Sequence, residues 1–241
     1  MSYLESHYRF MNDLSPQGKK KVFRGYEGQF LKYISADKRQ SILDIGCGSG
    51  LFLEWLESIG VGEARGIDVD SDQVEYALKR GLNVMLKESN DAVVDFLMKS
   101  SEKYDLIVML DVLEHVSGRH EVGLLLKAVA HSLAPSGVVL MSVPNANSNF
   151  ACRHRYIDAT HYRSYTEYSI SSELRSAGFA DVYVYEQPNQ YVSWRSYPKN
   201  LVRNAFRLMR RLEASVEYGM AGWRMPLSLN LIVEASCRGD V

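Results

Sequence analysis

Short apolar runs separated by helix-spaced stretches set the rhythm of this chain. Ile42 to Ile45, Ala64 to Val69, Asn83 to Leu86, Tyr104 to Leu110 and Val138 to Val143 read as strands. Between them, Leu51–Ile59, the segment after Ser71 (Val74, Ala77, Leu78), Asp91–Met98 and Glu121–Leu133 repeat apolar residues at helical spacing. Ser71 reads as the cap of its helix, Gly60, Gly62 and Gly81 as helix ends, and Pro135-Ser136-Gly137 as a turn. Upstream, Val22, Tyr26, Phe30, Leu31 and Ile34 predict a helix over 17–35 that packs on the main body. Downstream, Pro144 to Tyr165 reads as loop, Glu167–Ala177 as helix, Val182–Glu186 as strand, 187–226 as largely irregular and Ser228–Ala235 as a last strand.

Strand and helix alternating in this way predict a doubly wound α/β architecture with a mostly parallel sheet. The strongly apolar Tyr104–Leu110 run suits its buried centre. At 241 residues the chain fits one domain, 1–241, with residues 1–36 as an N-terminal helical cap and 187–226 as an insertion on the substrate side. Residues 1–14 are polar and aromatic and are expected to be loosely held.

Charge changes the picture little, because a formal net charge of −1 gives no general attraction for nucleic acid or an anionic membrane. Three widely spaced cysteines, Cys47, Cys152 and Cys237, fit neither a disulfide framework nor a zinc pattern. With no signal-peptide layout and no apolar run of roughly 20 residues, a cytoplasmic protein is expected. The exception is local. Within the insertion, Leu201, Val202, Ala205, Leu208, Met209 and Leu212 share one helical face, and Lys199, Arg203, Arg207, Arg210 and Arg211 another. Such a helix either packs its apolar face on the domain as a lid or makes a peripheral contact with lipid, a phosphorylated acceptor or RNA through 199–212. Tyr191, Trp194, Tyr197 and Trp223 are candidates for stacking on a sugar ring.

The candidate chemistry begins at Asp44-Ile45-Gly46-Cys47-Gly48-Ser49-Gly50, a strand breaking through glycines into a helix. Glycines there let a ligand reach bare backbone at a helix start. A Walker-type Gly-Lys-Ser/Thr is absent, so the turn does not read as a phosphate loop. Further on stand Gly66-Ile67-Asp68, then Tyr104 to Val108 running into Asp111-Val112-Leu113-Glu114-His115-Val116, then Leu133-Ala134-Pro135-Ser136-Gly137.

In this order and spacing, the four features resemble class I S-adenosylmethionine-dependent methyltransferases over roughly residues 20–186 and the final strand. The resemblance implies a seven-stranded sheet whose last strand inserts antiparallel. It implies S-adenosyl-L-methionine as cofactor, with Asp68 taking the ribose hydroxyls, Asp44 the methionine end, and the backbone at Gly46, Cys47, Gly48 and Gly50 lying against it. Val69, Leu110 and Asp111 complete the cofactor side, while Asp70 caps the next helix and Asn90 or Asp91 is a weak candidate near the adenine.

For the acceptor, His115 and His161 are the candidate general bases, since imidazole titrates near neutrality. Asp111-x-x-Glu114-His115 with His161 also resembles the metal pattern of small-RNA 2′-O-methyltransferases and quinone-biosynthesis O-methyltransferases, with Asp in place of a first Glu. A divalent metal on Glu114, His115 and His161 is therefore an open alternative. Asp158…His161…Arg163 resembles methyltransferases of polysaccharide and natural-product pathways. The expected activity is O-methylation of a saccharide or sugar-linked hydroxyl in a small molecule or glycan. The alternatives are 2′-O-methylation of an RNA 3′ end, against which the neutral charge weighs, and a cofactor-binding partner subunit without catalysis.

Overall fold

The structure is a computed structural model that describes residues 14–35, 39–188 and 196–237. Among them, α1 (Pro16–Phe30) is capped by Ser15, whose hydroxyl accepts from the Gly18 amide, and it ends in a 3-10 turn at Leu31–Tyr33. Tyr26 and Phe30 of α1 meet Phe52 and Trp55 of α2 (Leu51–Ser58), with ring centroids 5.3–5.9 Å apart. That aromatic cluster, plus Lys19 bonded to Glu54 at 2.9 Å, packs the N-terminal helix on the body as its periodicity predicts.

The alternating units are β1 (Ile42–Ile45), α2, β2 (Ala64–Asp68), α3 (Ser71–Leu78), β3 (Val84–Leu86), α4 (Asn90–Lys99), β4 (Tyr104–Leu110), α5 (Arg119–Ser132) and β5 (Leu133–Pro144). After them come α6 (Ala151–Tyr156), α7 (Glu167–Ser176), β6 (Asp181–Glu186), α8 (Ser196–Tyr218), α9 (Met220–Arg224) and β7 (Asn230–Ser236). Seven strands form one sheet in the order β3-β2-β1-β4-β5-β7-β6. β7 pairs antiparallel with both β5 and β6, so six strands run one way and the last runs against them. Buried apolar side chains fill both faces, as a parallel sheet between helix layers requires.

The elements differ from the sequence pattern in five places. Asp70, not Ser71, is the cap of α3: its carboxylate accepts from the Asp72 and Gln73 amides. The fifth strand starts at Leu133, because Leu133 pairs with Tyr104 ahead of a register shift across the Pro-Ser-Gly segment. The loop after β5 holds the short helix α6. The region 187–226, read as largely irregular around an amphipathic helix at 199–212, contains that helix as the longer, 23-residue α8, followed by α9. The stacking candidates Tyr191 and Trp194, and residues 1–13 and 36 of the N-terminal cap, lie outside the described residues.

The fifth difference is one of orientation. α8 turns its basic side inward: Arg211 bonds Glu186 Oε1 at 2.7 Å and Arg207 lies 3.7 Å from Oε2. Its apolar residues point outward, opposite to a lid that packs on the domain. At both ends the insertion joins the sheet at the carboxyl edge of the parallel strands, where Glu186 ends β6 and Asn230 opens β7 opposite Pro144.

Candidate active site

The carboxyl ends of β1, β2, β4 and β5 lie on that one edge, which is where open α/β sheets hold ligands. After β1 the chain must turn sharply upward into α2. Gly46, Gly48 and Gly50 all take left-handed φ angles of 72°, 51° and 80°. A Cβ on Gly46 would sit 2.5 Å from Val112 Cγ2, and one on Gly50 would sit 2.4 Å from Leu82 Cδ1. Gly50→Ala therefore combines left-handed strain with a steric clash, and is expected to lower unfolding free energy by about 2–4 kcal/mol in urea melts. Arg80 holds the turn from outside, bonding the Ser49 carbonyl at 2.9 Å and the Glu54 carboxylate.

Asp68 closes the loop from β2. Its Oδ2 accepts from the Gly48 amide at 2.7 Å and its Oδ1 from the Asp70 amide at 2.8 Å. Burial raises its pKa, and the hydrogen bonds from the Asp70 and Gly48 amides oppose the rise. Asp44 is buried beneath it and shifts further, pushed well above the carboxylate range by burial first and then by the charge of Asp68. Two buried carboxylates close to a glycine turn favour a ligand that brings positive charge and hydroxyl donors. Cys47 contributes backbone only: its amide bonds the Ile67 carbonyl, and its thiol packs under Gly66 with its pKa raised by burial. Val69 is exposed beside Asp68, and Leu110 is half-buried at the end of β4.

Asp111 follows directly, the one non-glycine residue with left-handed φ (56°) among those described. Its Oδ1 accepts from Ser142 Oγ at 2.9 Å and Asn230 Nδ2 at 2.7 Å, so the β4 turn is fastened to β5 and β7. It is not in the group of ligand atoms that Glu114, His115 and His161 form.

Those three ligating side chains come within 4.8 Å of one another, although 46 positions separate His115 from His161. The 3-10 turn Leu113–His115 carries two of them. The third arrives because the Tyr162 amide bonds the Glu114 carbonyl at 2.7 Å and Arg155 bonds the His161 carbonyl. The two imidazole rings meet edge to face at 4.7 Å.

Hydrogen bonding fixes their tautomers. His161 Nδ1 faces the His154 carbonyl at 2.8 Å, and a carbonyl only accepts, so Nδ1 carries the proton. Thr160 Oγ1 gives its hydrogen to Asp158 Oδ1 at 2.7 Å, so at 2.8 Å it accepts from His115 Nδ1. In both neutral rings Nε2 is then the lone-pair nitrogen. Glu114 adds a carboxyl buried to 1% exposure whose Oε2 has no hydrogen-bond partner. Its pKa stands well above the ordinary value because of burial, then Asp111, with Asp158 adding to it. Three groups rich in lone pairs, a buried carboxyl and two partly exposed imidazoles, face one another and form a site for a proton or a cation.

The sequence pattern singled out His115, His161 and Glu114, and the structure brings them together. It did not single out Asp158 and Thr160 as the pair that orients His115, although Asp-Ala-Thr-His carries an Asx-turn spacing, in which the Thr160 amide donates to Asp158 Oδ1 at 2.8 Å. Asn230 and Ser142 gave no local signal at all. Asn145 turns out to be structural, donating to the Pro226 and Ser228 carbonyls at 2.9 and 2.8 Å and thereby fixing the return of the insertion.

Comparison with known proteins bears on the fold and the family. A family model described as a methyltransferase domain matches residues 19–184. The ubiquinone biosynthesis O-methyltransferase of Hydrogenovibrio crunogenus is 30% identical over 121 residues, 49% of this chain and 48% of that protein. The mitochondrial ubiquinone biosynthesis O-methyltransferase of Candida albicans is 32% identical over 111 residues, 44% of this chain and 34% of that one. The match thus spans half or less of the length of these two relatives. Among solved structures, a SAM-dependent methyltransferase from Archaeoglobus fulgidus superposes with a TM-score of 0.66 at 19% identity, covering 95% of this chain and 99% of that one. Since the family model covers well over half of the chain and the sheet has the same order of parts, the protein belongs to the class I S-adenosylmethionine-dependent methyltransferases.

Proposed function

We propose that the chain methylates a hydroxyl group, with His115 as the general base. S-adenosylmethionine supplies an activated methyl on a sulfonium. Asp68 and Asp44 hold its ribose and its cationic amino-acid end, while Gly46, Cys47, Gly48 and Gly50 let it lie against backbone, with Val69, Leu110 and Asp111 at its sides. The protein's task is then to align the acceptor oxygen and take its proton. The observation that carries this reading is the Asp158–Thr160–His115 chain, which holds Nδ1 protonated and leaves Nε2 as the accepting atom. His161, edge-on to His115, is placed to orient the acceptor or the imidazolium that forms.

The relatives named for ubiquinone biosynthesis support a hydroxyl rather than an amine acceptor. A saccharide or sugar-linked hydroxyl rests on the Asp158…His161…Arg163 segment, next to the exposed Tyr156 and Tyr162. Transfer of labelled methyl from S-adenosylmethionine to a panel of saccharide and catechol acceptors tests the class. With amine acceptors added to the same panel, turnover confined to the amines would overturn it.

The orphaned Glu114 Oε2 favours a second reading. Glu114, His115 and His161 would hold a divalent cation, which would polarise the acceptor hydroxyl and make it more acidic. Glu114→Gln separates the two. With a histidine base alone, turnover should change less than about threefold, because burial already favours the neutral carboxyl. With a metal, turnover should fall by roughly 10–100-fold, as it should in EDTA.

A further inference from the structure

α8 is amphipathic with its sides reversed. Asn200 is buried and the Arg207 side chain is 14% exposed on the inner side. Outward point Leu201, Val202, Leu208, Met209, Leu212 and Val216, each about half exposed or more, with Leu201 at 73% and Val216 at 84%. Twenty-three residues make a helix about 35 Å long, so this is one continuous apolar stripe rather than scattered surface residues. Phe206 widens it, and the exposed Tyr197 and Tyr218 stand at its ends.

Charge decides what covers it. Residues 196–224 carry one lysine and five arginines against two glutamates, a formal +4 in a chain of net −1, so all other residues together carry −5. Glu186 offsets one of these charges, so a second copy would still bring two basic helices face to face, whereas an anionic lipid surface matches them. Among the described residues no helix is long and apolar enough to cross a bilayer, which fits a helix lying in the interface. Arg207 and Arg211 face the domain, where Glu186 pairs with both; that pairing and the tight α8–α9 contact at Gly222 hold the stripe outward, while Lys199 and Arg224 stay exposed to meet headgroups.

We propose that α8 docks the enzyme on anionic lipid bilayers through this stripe, with the acceptor edge of the sheet held at the lipid surface because the insertion springs from it. Docking does not depend on which acceptor is methylated, and vesicle binding tests it without turnover.

The full chain is sedimented with vesicles of equal phosphatidylglycerol and phosphatidylcholine, and with phosphatidylcholine alone. Binding should favour the anionic vesicles and weaken in high salt. The triple variant Leu201→Glu, Leu208→Glu, Leu212→Glu should lose roughly tenfold or more in partitioning while keeping its affinity for S-adenosylmethionine, which shows that it is folded. No binding by the wild-type chain to anionic vesicles overturns the proposal. So does a dimer in light scattering that the triple variant abolishes, without vesicle binding, because the stripe would then be covered by a second copy.

Discussion

His115→Ala is expected to slow methyl transfer by roughly 10²–10⁴-fold while leaving the affinity for S-adenosylmethionine within about twofold. The two effects separate because the donor and acceptor sides are built from different strand ends. His115 hangs from the turn after β4 and is oriented by Thr160 and Asp158 from the loop after α6. The proposed donor side is Asp44, the glycine turn and Asp68, on β1 and β2. Thr160→Val should give a smaller loss, roughly tenfold, because it frees the ring to adopt the other tautomer without removing it. Its pH–rate profile should also move, which loss of packing alone would not do. Single-turnover rates with saturating donor, set beside calorimetric Kd values, measure both. A rate unchanged in His115→Ala would sink the base assignment.

Asp44→Asn carries the second large effect, and it runs in two directions. Losing a buried charge partner for the cationic end of the donor is expected to weaken binding by about 1.5–3 kcal/mol, roughly 10–150-fold in Kd. The same substitution should raise the melting temperature of the protein without donor. The sign follows from linkage. Burial and Asp68 raise the folded pKa of Asp44 above its unfolded value. A carboxyl shifted upward stabilises the fold fully only below the unfolded pKa, and that contribution is lost as pH rises through the folded pKa. An ionised Asp44 is therefore a strain on the empty protein, and asparagine removes it. Donor binding to the ionised form must also release protons wherever Asp44 is protonated in the empty site. Kd should then climb toward tenfold per pH unit on acidification below the raised pKa. Calorimetry in buffers of different ionisation enthalpy detects the released proton. A lower melting temperature in Asp44→Asn would contradict the burial argument.

Whatever the chain encodes within one strand–turn–helix unit was readable from residues alone. The glycines at 46, 48 and 50 and Asp68 belong to such units, because left-handed turns and strand-end carboxylates are local demands. Adjacent cap-type residues blurred the start of α3, since Asp70 and Ser71 both suit the position and the backbone chose the one whose carboxylate reaches two amides. The stripe on α8 was visible, but not its direction. That depends on Glu186, which lies on another element and draws Arg207 and Arg211 inward. The fastening of Asp111 by Asn230 was out of reach, because the partners lie 119 positions apart and neither belongs to a pattern.

That last contact also sets an order of assembly during synthesis. β7 lies between β5 and β6, and its first residue, Asn230, bonds both Asp111 and Ser142. A nascent chain that has emerged from the ribosome only as far as the insertion already holds the strands that cradle the donor. It still has an open slot in the sheet, and the turn leading to Glu114 and His115 lacks its tie to Asn230 and keeps that to Ser142. The proposed acceptor half of the site is thus completed by a segment translated after every strand proposed to cradle the donor, so the growing chain can acquire its donor cradle first.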